Sequence, residues 1–332
     1  MRIHKPVLLQ EAVTLLNCRS GGLYVDCTAG MAGHSEEILK ASAPDGRLLA
    51  MDRDEQAIAI IRQKLEPYSN RVTIIHSDYR RIRNVLEEYS ITQVDGILAD
   101  LGVSMLQFSD PQRGFSFQEE GPLDMRMDQS QKETAEDLIR RSSEQDLSRI
   151  LKEFGEEPAA KRIARAIVQE RKNKPIQTTT DLRMIIEKVV PIRRTQRIHP
   201  ATLTFQALRI AVNRELEGLD QFLFDAFDVL ANGGRLVIIA FHSLEDRTVK
   251  QVFRFLSAAC RCSIALPVCQ CGGKPLSKLL TPSPVRPTED EVNENPPSRS
   301  AKLRAIEKIE GTVPRELWQT WINEHQNWKR NR

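Results

Sequence analysis

The most informative segment of the chain is Val25-Asp26-Cys27-Thr28-Ala29-Gly30-Met31-Ala32-Gly33-His34-Ser35. The apolar residues that lead into it predict a short buried strand, and Ser35 begins a segment with helical spacing. This order is typical of a nucleotide cradle, because glycines let the backbone approach a ligand and a helix N-terminus offers unpaired N–H groups. The loop has Gly30-x-x-Gly33 rather than G-x-G-x-x-G, so on its own it also fits an ordinary turn.

The composition is that of an ordinary soluble globular protein. The chain has 332 residues, 40% hydrophobic and 28% charged, which is enough for one large α/β domain with an insertion or for two domains. A net charge of +3 excludes a chain-wide nucleic-acid signature. No run of about 18 apolar residues exists, so we expect no membrane partner. Six cysteines cannot staple a chain of this size, and we expect a cytoplasmic protein.

Strands and helices alternate through the first hundred residues. Four apolar segments, each followed by helical spacing, imply a parallel, doubly wound sheet; they lie at 23–25, 46–54, 71–76 and 94–100. The alternation then stops, and only helical spacing is found until strands resume at 235–241 and 300–307.

We therefore predict an α/β fold with a doubly wound, mostly parallel sheet. Its core is formed by 1–107 and 205–310, and an all-helical domain, 108–204, is inserted after the fourth strand. Residues 311–332, which contain all three tryptophans, are predicted to be a peripheral C-terminal tail.

The charge of the insertion is uneven. Residues 115–154 carry 6 basic and 10 acidic side chains, whereas 155–200 carry 11 basic and 5 acidic ones, a net charge of +6. A basic segment beside a ligand pocket is either a solvated helix face or a surface that meets phosphates. We expect the inserted domain to take part in RNA recognition if the second alternative holds.

Polar residues stand at the carboxyl ends of the predicted strands, where open α/β sheets bind their ligands. Asp52 is placed to hold ribose hydroxyls, Tyr79 offers a ring to an adenine, and Asp100 lies nearest the reacting centre. Each of these residues alone could be a solvated loop residue. Nicotinamide and adenosyl-methionine sites share this pattern, and the missing third glycine favours the sulfonium cofactor.

Several motifs in the same order resemble the RsmH (MraW) family of ribosomal RNA methyltransferases. The matching segments are His4–Glu11, Asp26–Ser35, Asp100–Ser104, Arg113–Phe117, Pro122–Met127, His199–Thr202, Thr204–Asn213, Phe241–Arg247 and Ser298–Arg304. The resemblance implies a class I, Rossmann-like methyltransferase that methylates the exocyclic N4 amine of a cytidine in the decoding region of 16S rRNA. It implies S-adenosyl-L-methionine as cofactor and 16S rRNA, within the small ribosomal subunit, as partner.

The resemblance also implies a set of cofactor contacts. They fall on Ala32, Gly33, His34, Asp52, Tyr79, Asp100 and Gln107. Two residues depart from the family pattern, which commonly has glycine where Ala32 stands and often phenylalanine where Tyr79 stands. Both departures are small, although they weaken the assignments of close backbone approach and ring stacking. The sequence leaves a homodimer open.

The chemistry points to Asp100 as a candidate catalytic residue. The N4 amine is conjugated with the pyrimidine ring and is a poor nucleophile, so it needs in-line positioning and an acceptor for its hydrogens. Asp100 either accepts from that amine or orients the cofactor amino group, and the sequence does not separate the two roles. Methylation at carbon 5 is not expected, because it uses a Pro-Cys pair and no cysteine here follows proline.

Candidates for the RNA side are Arg209, Asn213, His242, Ser243 and Lys302-Leu303-Arg304. Arg209 and Asn213 are one helical turn apart and share a face, but they could equally form a buried polar network that braces the insertion. His242 is either a hydrogen-bonded strand-end residue or a base.

Four cysteines are clustered near the C-terminal end of the predicted core: Cys260, Cys262, Cys269 and Cys271. The C-x-C spacing is tighter than the usual C-x₂₋₄-C of zinc sites, so a reduced loop is the main alternative to a zinc site. Two other functions stay open on the sequence, a dinucleotide-dependent oxidoreductase and a non-catalytic RNA-binding ribosome factor.

Overall fold

The structure is a computed structural model that describes residues 6–192, 198–260 and 273–330, with side chains up to residue 324. Within these residues the strands form one seven-stranded sheet. The strands are β1 (Leu23–Asp26), β2 (Arg47–Asp52), β3 (Val72–His76), β4 (Val94–Asp100), β5 (Leu230–Ala240), β6 (Ser277–Leu279) and β7 (Lys302–Lys308).

The strand order is β3-β2-β1-β4-β5-β7-β6. The first five strands are parallel, and β7 runs antiparallel to both β5 and β6. A mostly parallel sheet with its reversed strand inserted beside β5 is the class I methyltransferase arrangement, so the fold class expected from the sequence is confirmed. The strand order reverses between β1 and β4, and ligands of such sheets bind at that point.

Helices connect and cover the strands. They are α1 (Leu9–Leu16), α2 (Gly33–Ala41), α3 (Glu55–Lys64), α4 (Ile82–Glu88), α5 (Met105–Ser109), α6 (Ala135–Arg141), α7 (Glu144–Gly155), α8 (Ala160–Asn173), α9 (Thr179–Val189), α10 (Ala201–Asn213), α11 (Leu219–Asp228), α12 (Ser243–Ser257), α13 (Glu289–Glu294) and α14 (Arg315–Arg330). Of the helices in the described part of the chain, none combines the length and hydropathy needed to cross a bilayer.

The central strands are buried on both faces, which explains why they read as continuous apolar segments. Val25, Ile97, Leu98 and Ile238 are all fully buried. The register aligns Asp26 with Leu98 and Asp52 with His76, so the carboxyl ends of neighbouring strands meet at one edge of the sheet. This edge carries the polar residues that the sequence singled out.

The chain divides into two compact units. The core unit comprises Met1–Gly102 and Glu217–Arg332, and the helical unit comprises Val103–Leu216. The helical unit has its own buried cluster, and three of its helices begin with a capping box, at Ser104, Thr134 and Thr178.

The helical unit, Val103–Leu216, contains more residues at both ends than the insertion predicted at 108–204. The helix α10, expected to belong to the sheet core, packs on α7 inside the helical unit. Gly155 permits this approach, because a Cβ there would lie 2.5 Å from the backbone oxygen of Leu203. Helical spacing showed that α10 has an apolar face but not which surface that face covers.

The tail 311–332 was predicted to be peripheral, but its first part is buried against the core unit. Trp318 in α14 is only 3% exposed, and its ring stacks on Phe224 of α11 with 5.3 Å between centroids. Val313 and Ile322 are buried as well. The segment therefore completes the apolar surface of α11 rather than lying outside the core unit.

Candidate functional site

The glycine loop after β1 follows a tight backbone path that suits a ligand-binding turn. Gly30 has φ +54 and Ala32 has φ +58, both in the left-handed region. Ala32 immediately precedes α2. Because alanine has a Cβ, the left-handed conformation at this position costs about 1–2 kcal/mol relative to glycine. The strain explains physically why glycine suits this position.

Asp52, at the end of β2, is tied to this loop. Its Oδ2 accepts a hydrogen bond from the Gly30 N–H at 2.8 Å, and its Oδ1 accepts from the Asp54 N–H at 2.8 Å. Burial raises the pKa of Asp52 above its ordinary value. Each carboxylate oxygen can accept more than one hydrogen bond, so Asp52 retains capacity for hydroxyl groups of a ligand.

Tyr79 follows β3 in a short 3₁₀ turn and is buried. Its ring and that of Phe222 make a T-shaped contact with 4.7 Å between centroids, and the Arg80 guanidinium lies 5.8 Å from the centre of the Tyr79 ring. Burial raises the pKa of the Tyr79 phenol, which therefore stays neutral. Phe222 was not predicted from the sequence, because its position in an apolar helix looks like any other core residue.

Asp100 lies at the end of β4. Its Oδ1 is buried, and no group in the described part of the chain forms a hydrogen bond with it. Its backbone N–H donates to Thr28 Oγ1 at 2.6 Å, and its Oδ2 lies 3.9 Å from Nδ1 of His34. Burial and the neighbouring carboxylates of Asp26 and Glu245 raise the pKa of Asp100 well above its usual range. A buried acceptor of this kind calls for a donor or a cation supplied by a ligand.

Asp26, at the end of β1, lies at the same edge of the sheet and was not assigned to the site from the sequence. Its carboxylate accepts from Ser35 Oγ at 2.6 Å and from the Thr28 N–H at 3.2 Å. Burial raises the pKa of Asp26 to about 6. An acidic residue at a strand end, followed nine positions later by a serine in the first turn of the next helix, was the available signal.

Gly33 and His34 contact the N-terminal segment of the chain. A Cβ on Gly33 would lie 2.1 Å from Cγ of Pro6, so the proline ring already requires glycine at this position. His34 is 6% exposed, and its Nε2 lies 3.0 Å from the carbonyl oxygen of Val7. The sequence assigned both residues to the cofactor and gave no sign of these contacts.

His242 caps the helix α12 that follows β5. Its Nδ1 accepts from the Glu245 N–H at 3.3 Å, and its Nε2 lies 3.1 Å from Oε1 of the same residue. A backbone N–H can only donate, so Nδ1 is the acceptor and the neutral ring carries its proton on Nε2. This arrangement favours the strand-end alternative over a base. Ser243 begins α12 and is half-buried.

The remaining RNA-side candidate of the core unit is the segment Lys302-Leu303-Arg304. Lys302 and Arg304 both pair with Asp246, at 3.1 and 2.6 Å. These pairs hold β7 against α12.

Three predicted site residues lie in the helical unit. Gln107 is buried in the capping box of α5, where its side chain accepts from the Ser104 N–H at 3.2 Å. Arg209 forms a two-bond ion pair with Glu215, both bonds 2.9 Å long.

Asn213 is only 2% exposed. Its side chain bonds to the backbones of Met127, Met125 and Arg209 at 2.7 to 2.9 Å. This geometry favours the buried polar network over direct RNA contact for Asn213.

The cysteine cluster is described only at Cys260, which is exposed. Cys262, Cys269 and Cys271 lie outside the described residues, so the zinc site and the reduced loop both stay as predictions.

The core-unit residues fit a nucleoside cofactor with a positively charged sulfur. Asp52 offers oxygens for hydroxyl groups, and Tyr79 offers an aromatic ring that packs against the buried ring of Phe222. The unpaired Oδ1 of Asp100 and the buried carboxylate of Asp26 lie at neighbouring strand ends and suit a cation.

Comparison with known proteins identifies the family. The MraW methylase family model matches residues 1–309. The chain is 52% identical over 306 residues to the ribosomal RNA small subunit methyltransferase H of Thermomicrobium roseum, which covers 92% of this chain and 94% of that protein. It is 50% identical to the enzyme of the same name from Syntrophus aciditrophicus and 46% identical to that from Clostridioides difficile, with 98% and 99% of those proteins covered. With a class I sheet and a match of this extent, the chain belongs to the MraW methylase family, and its cofactor is S-adenosyl-L-methionine.

Proposed function

We propose that the chain methylates the exocyclic N4 amine of a cytidine in the decoding region of 16S rRNA. The relatives named above act on small-subunit ribosomal RNA according to their names, and each match covers 92% of this chain. The single observation that carries the chemistry is Asp100, a partly buried carboxyl group with a raised pKa and a buried, unpaired Oδ1 at the ligand-binding edge. Membership of a methylase family favours this function over a dinucleotide-dependent oxidoreductase.

In this proposal the strand ends of the core unit hold the cofactor. S-adenosyl-L-methionine supplies the methyl group from its sulfonium sulfur when bound. Asp52 receives the ribose hydroxyls, Tyr79 contacts the adenine, and the loop Ala32-Gly33-His34 borders the methionine portion. We propose Gln107 as a further contact, on the resemblance alone.

Asp100 would then act on the acceptor amine. The N4 nitrogen becomes positively charged as it gains a methyl group, so it must lose a proton to a nearby acceptor. A carboxylate with a raised pKa accepts that proton more readily than an ordinary aspartate, because the protonated form is favoured by its surroundings. Asp100, at the end of β4, is such a group.

Methyl transfer in vitro tests the proposal. Small ribosomal subunits and naked 16S rRNA, both prepared from a strain that lacks the modification, are incubated with the full chain and S-adenosyl-L-methionine. We expect mass spectrometry of nuclease digests to find one N4-methylated cytidine in the decoding region of at least one substrate. A methyl group on another atom, or none on either substrate, would contradict the proposal. Binding without transfer would favour the non-catalytic ribosome factor.

We also propose that the helical unit binds RNA phosphates through α8. Ile163, Ala164 and Ile167 are buried, whereas Lys161, Arg165 and Lys172 are exposed on the opposite side of the helix. From Lys161 to Lys172 these three cations form a stripe about 16 Å long, since a helix rises about 1.5 Å per residue. A stripe of this kind can follow a nucleic-acid backbone.

Salt dependence measures this contribution. The triple variant Lys161→Ala, Arg165→Ala, Lys172→Ala should bind 16S rRNA at least about tenfold more weakly, with the slope of log affinity against log salt reduced by about 2, because each lost phosphate contact removes roughly 0.7–0.9. The control removes three exposed arginines of the core unit, Arg62, Arg254 and Arg315. Equal slopes for the two triple variants would show that α8 has no special role.

A further inference from the structure

The N-terminal segment Pro6–Leu8 packs directly on the glycine loop. The ring of Pro6 fills the space next to Gly33, because a Cβ added to Gly33 would lie only 2.1 Å from Cγ of Pro6. Val7 and Leu8 are 7% and 1% exposed. This segment, here called the N-terminal arm, is therefore buried and packs against the glycine loop at Gly33.

The arm fixes the ring of His34. The carbonyl oxygen of Val7 accepts from Nε2 of His34 at 3.0 Å. A carbonyl cannot donate, so the proton is on Nε2, and in the neutral ring Nδ1 carries the lone pair. That nitrogen lies 3.9 Å from Oδ2 of Asp100. The position of the Val7 carbonyl thus sets the tautomer and direction of a ring beside Asp100.

The arm is itself held by a residue far along the chain. Leu8 has φ +52, a left-handed conformation that a leucine keeps only where its surroundings impose it. Its N–H donates to Oε1 of Glu291 at 2.8 Å. Glu291 in turn is held in the first turn of α13, where its N–H donates to Thr288 Oγ1 at 3.2 Å.

We propose that Glu291 is a positioning residue for S-adenosyl-L-methionine. Its carboxylate holds the Leu8 N–H, which places the Val7 carbonyl and through it the ring of His34 beside Asp100. A charge-assisted hydrogen bond to a buried backbone N–H is among the stronger contacts of this kind. The inference rests on the assignment of the loop Ala32-Gly33-His34 to the cofactor in the proposed function.

Direct binding tests the proposal without any RNA. Titration calorimetry with S-adenosyl-L-methionine should give a dissociation constant about tenfold higher for Glu291→Ala than for the wild type, as expected for loss of one charge-assisted hydrogen bond. Glu291→Gln keeps an acceptor oxygen in place and should stay within about threefold. Glu289→Ala, an exposed carboxylate on the same helix, is the matched control and should leave the constant unchanged.

A double-mutant cycle with His34→Ala shows whether Glu291 acts through His34. In that background Glu291→Ala should raise the dissociation constant by less than about twofold, since the ring it positions is gone. A full tenfold effect there, or none in the otherwise wild-type chain, would overturn the proposal. Pro6→Gly probes the same arm without changing α13 and should weaken binding at least about threefold. A chain that binds S-adenosyl-L-methionine as expected but methylates no cytidine would contradict only the proposed function.

Discussion

Replacing Asp100 with asparagine should lower the turnover of methyl transfer at least about a hundredfold at saturating cofactor. Asparagine has nearly the same shape, so the bond from the residue 100 N–H to Thr28 Oγ1 should persist. The amide cannot take up the proton that leaves the N4 amine. Turnover is measured with small subunits that lack the modification, and cofactor affinity is measured separately by calorimetry.

The pH profile gives the same prediction a second readout. Burial, Asp26 and Glu245 raise the pKa of Asp100, so the carboxylate needed to accept a proton forms only as pH rises through that raised value. Wild-type turnover should therefore increase with pH on the acidic side. The Asp100→Asn variant should lack this limb, because no group titrates at position 100.

A control on the same strand separates this role from a general effect of removing a carboxylate. Asp95 lies at the opposite end of β4 and pairs with Arg19 at 2.6 Å. Asp95→Asn should keep wild-type turnover. If Asp100→Asn turns over nearly normally and only binds the cofactor more weakly, Asp100 orients the cofactor and is not the proton acceptor.

The sequence predicted the ligand-binding edge because that edge follows from local patterns. Buried parallel strands read as apolar segments, and the polar residue that ends each one is visible directly, as at Asp52 and Asp100. The register of neighbouring strands then brings these residues to one edge without further information. The fold class was predictable for the same reason.

Contacts between distant segments could not be read from the sequence. The Leu8 N–H and the Glu291 carboxylate are 283 positions apart, and no periodicity links them. The sequence did not show that His242 caps a helix, because its hydrogen bond from the Glu245 N–H depends on the ring orientation at the start of α12. The burial of Trp318 depends on α11 leaving an apolar surface for it to cover.

Replacing Asp26 with asparagine should make the protein more stable at neutral pH. The pKa of Asp26 is raised to about 6 in the folded protein, against about 3.9 in an unfolded chain. The folded state therefore holds this proton more tightly, and its stability falls as pH rises through the interval between the two values. The fall amounts to about 3 kcal/mol, at 1.36 kcal/mol for each pH unit.

The asparagine variant has no proton to lose in that interval. The free energy of unfolding of both proteins is measured by urea titration at pH 4.0 and 7.5. Between these two pH values, it should fall by up to about 3 kcal/mol less in the variant than in the wild type. Ser35→Ala is the opposite control, because Ser35 donates to the carboxylate and lowers its pKa. In that variant the pKa of Asp26 should rise further, so the fall should be larger than in the wild type and continue to higher pH. Identical pH dependence in the wild type and Asp26→Asn would contradict the prediction.

A carboxylate that destabilises the free protein at neutral pH is expected where a ligand makes use of its charge. Asp26 is fully buried and ends the strand next to β4, whose last residue is Asp100. The cofactor is a cation at its sulfur, and a nearby negative charge lowers the free energy of the bound state. Asp26→Asn should therefore bind S-adenosyl-L-methionine more weakly while it unfolds less readily. A gain in stability together with unchanged affinity would mean that the buried charge serves no purpose in binding.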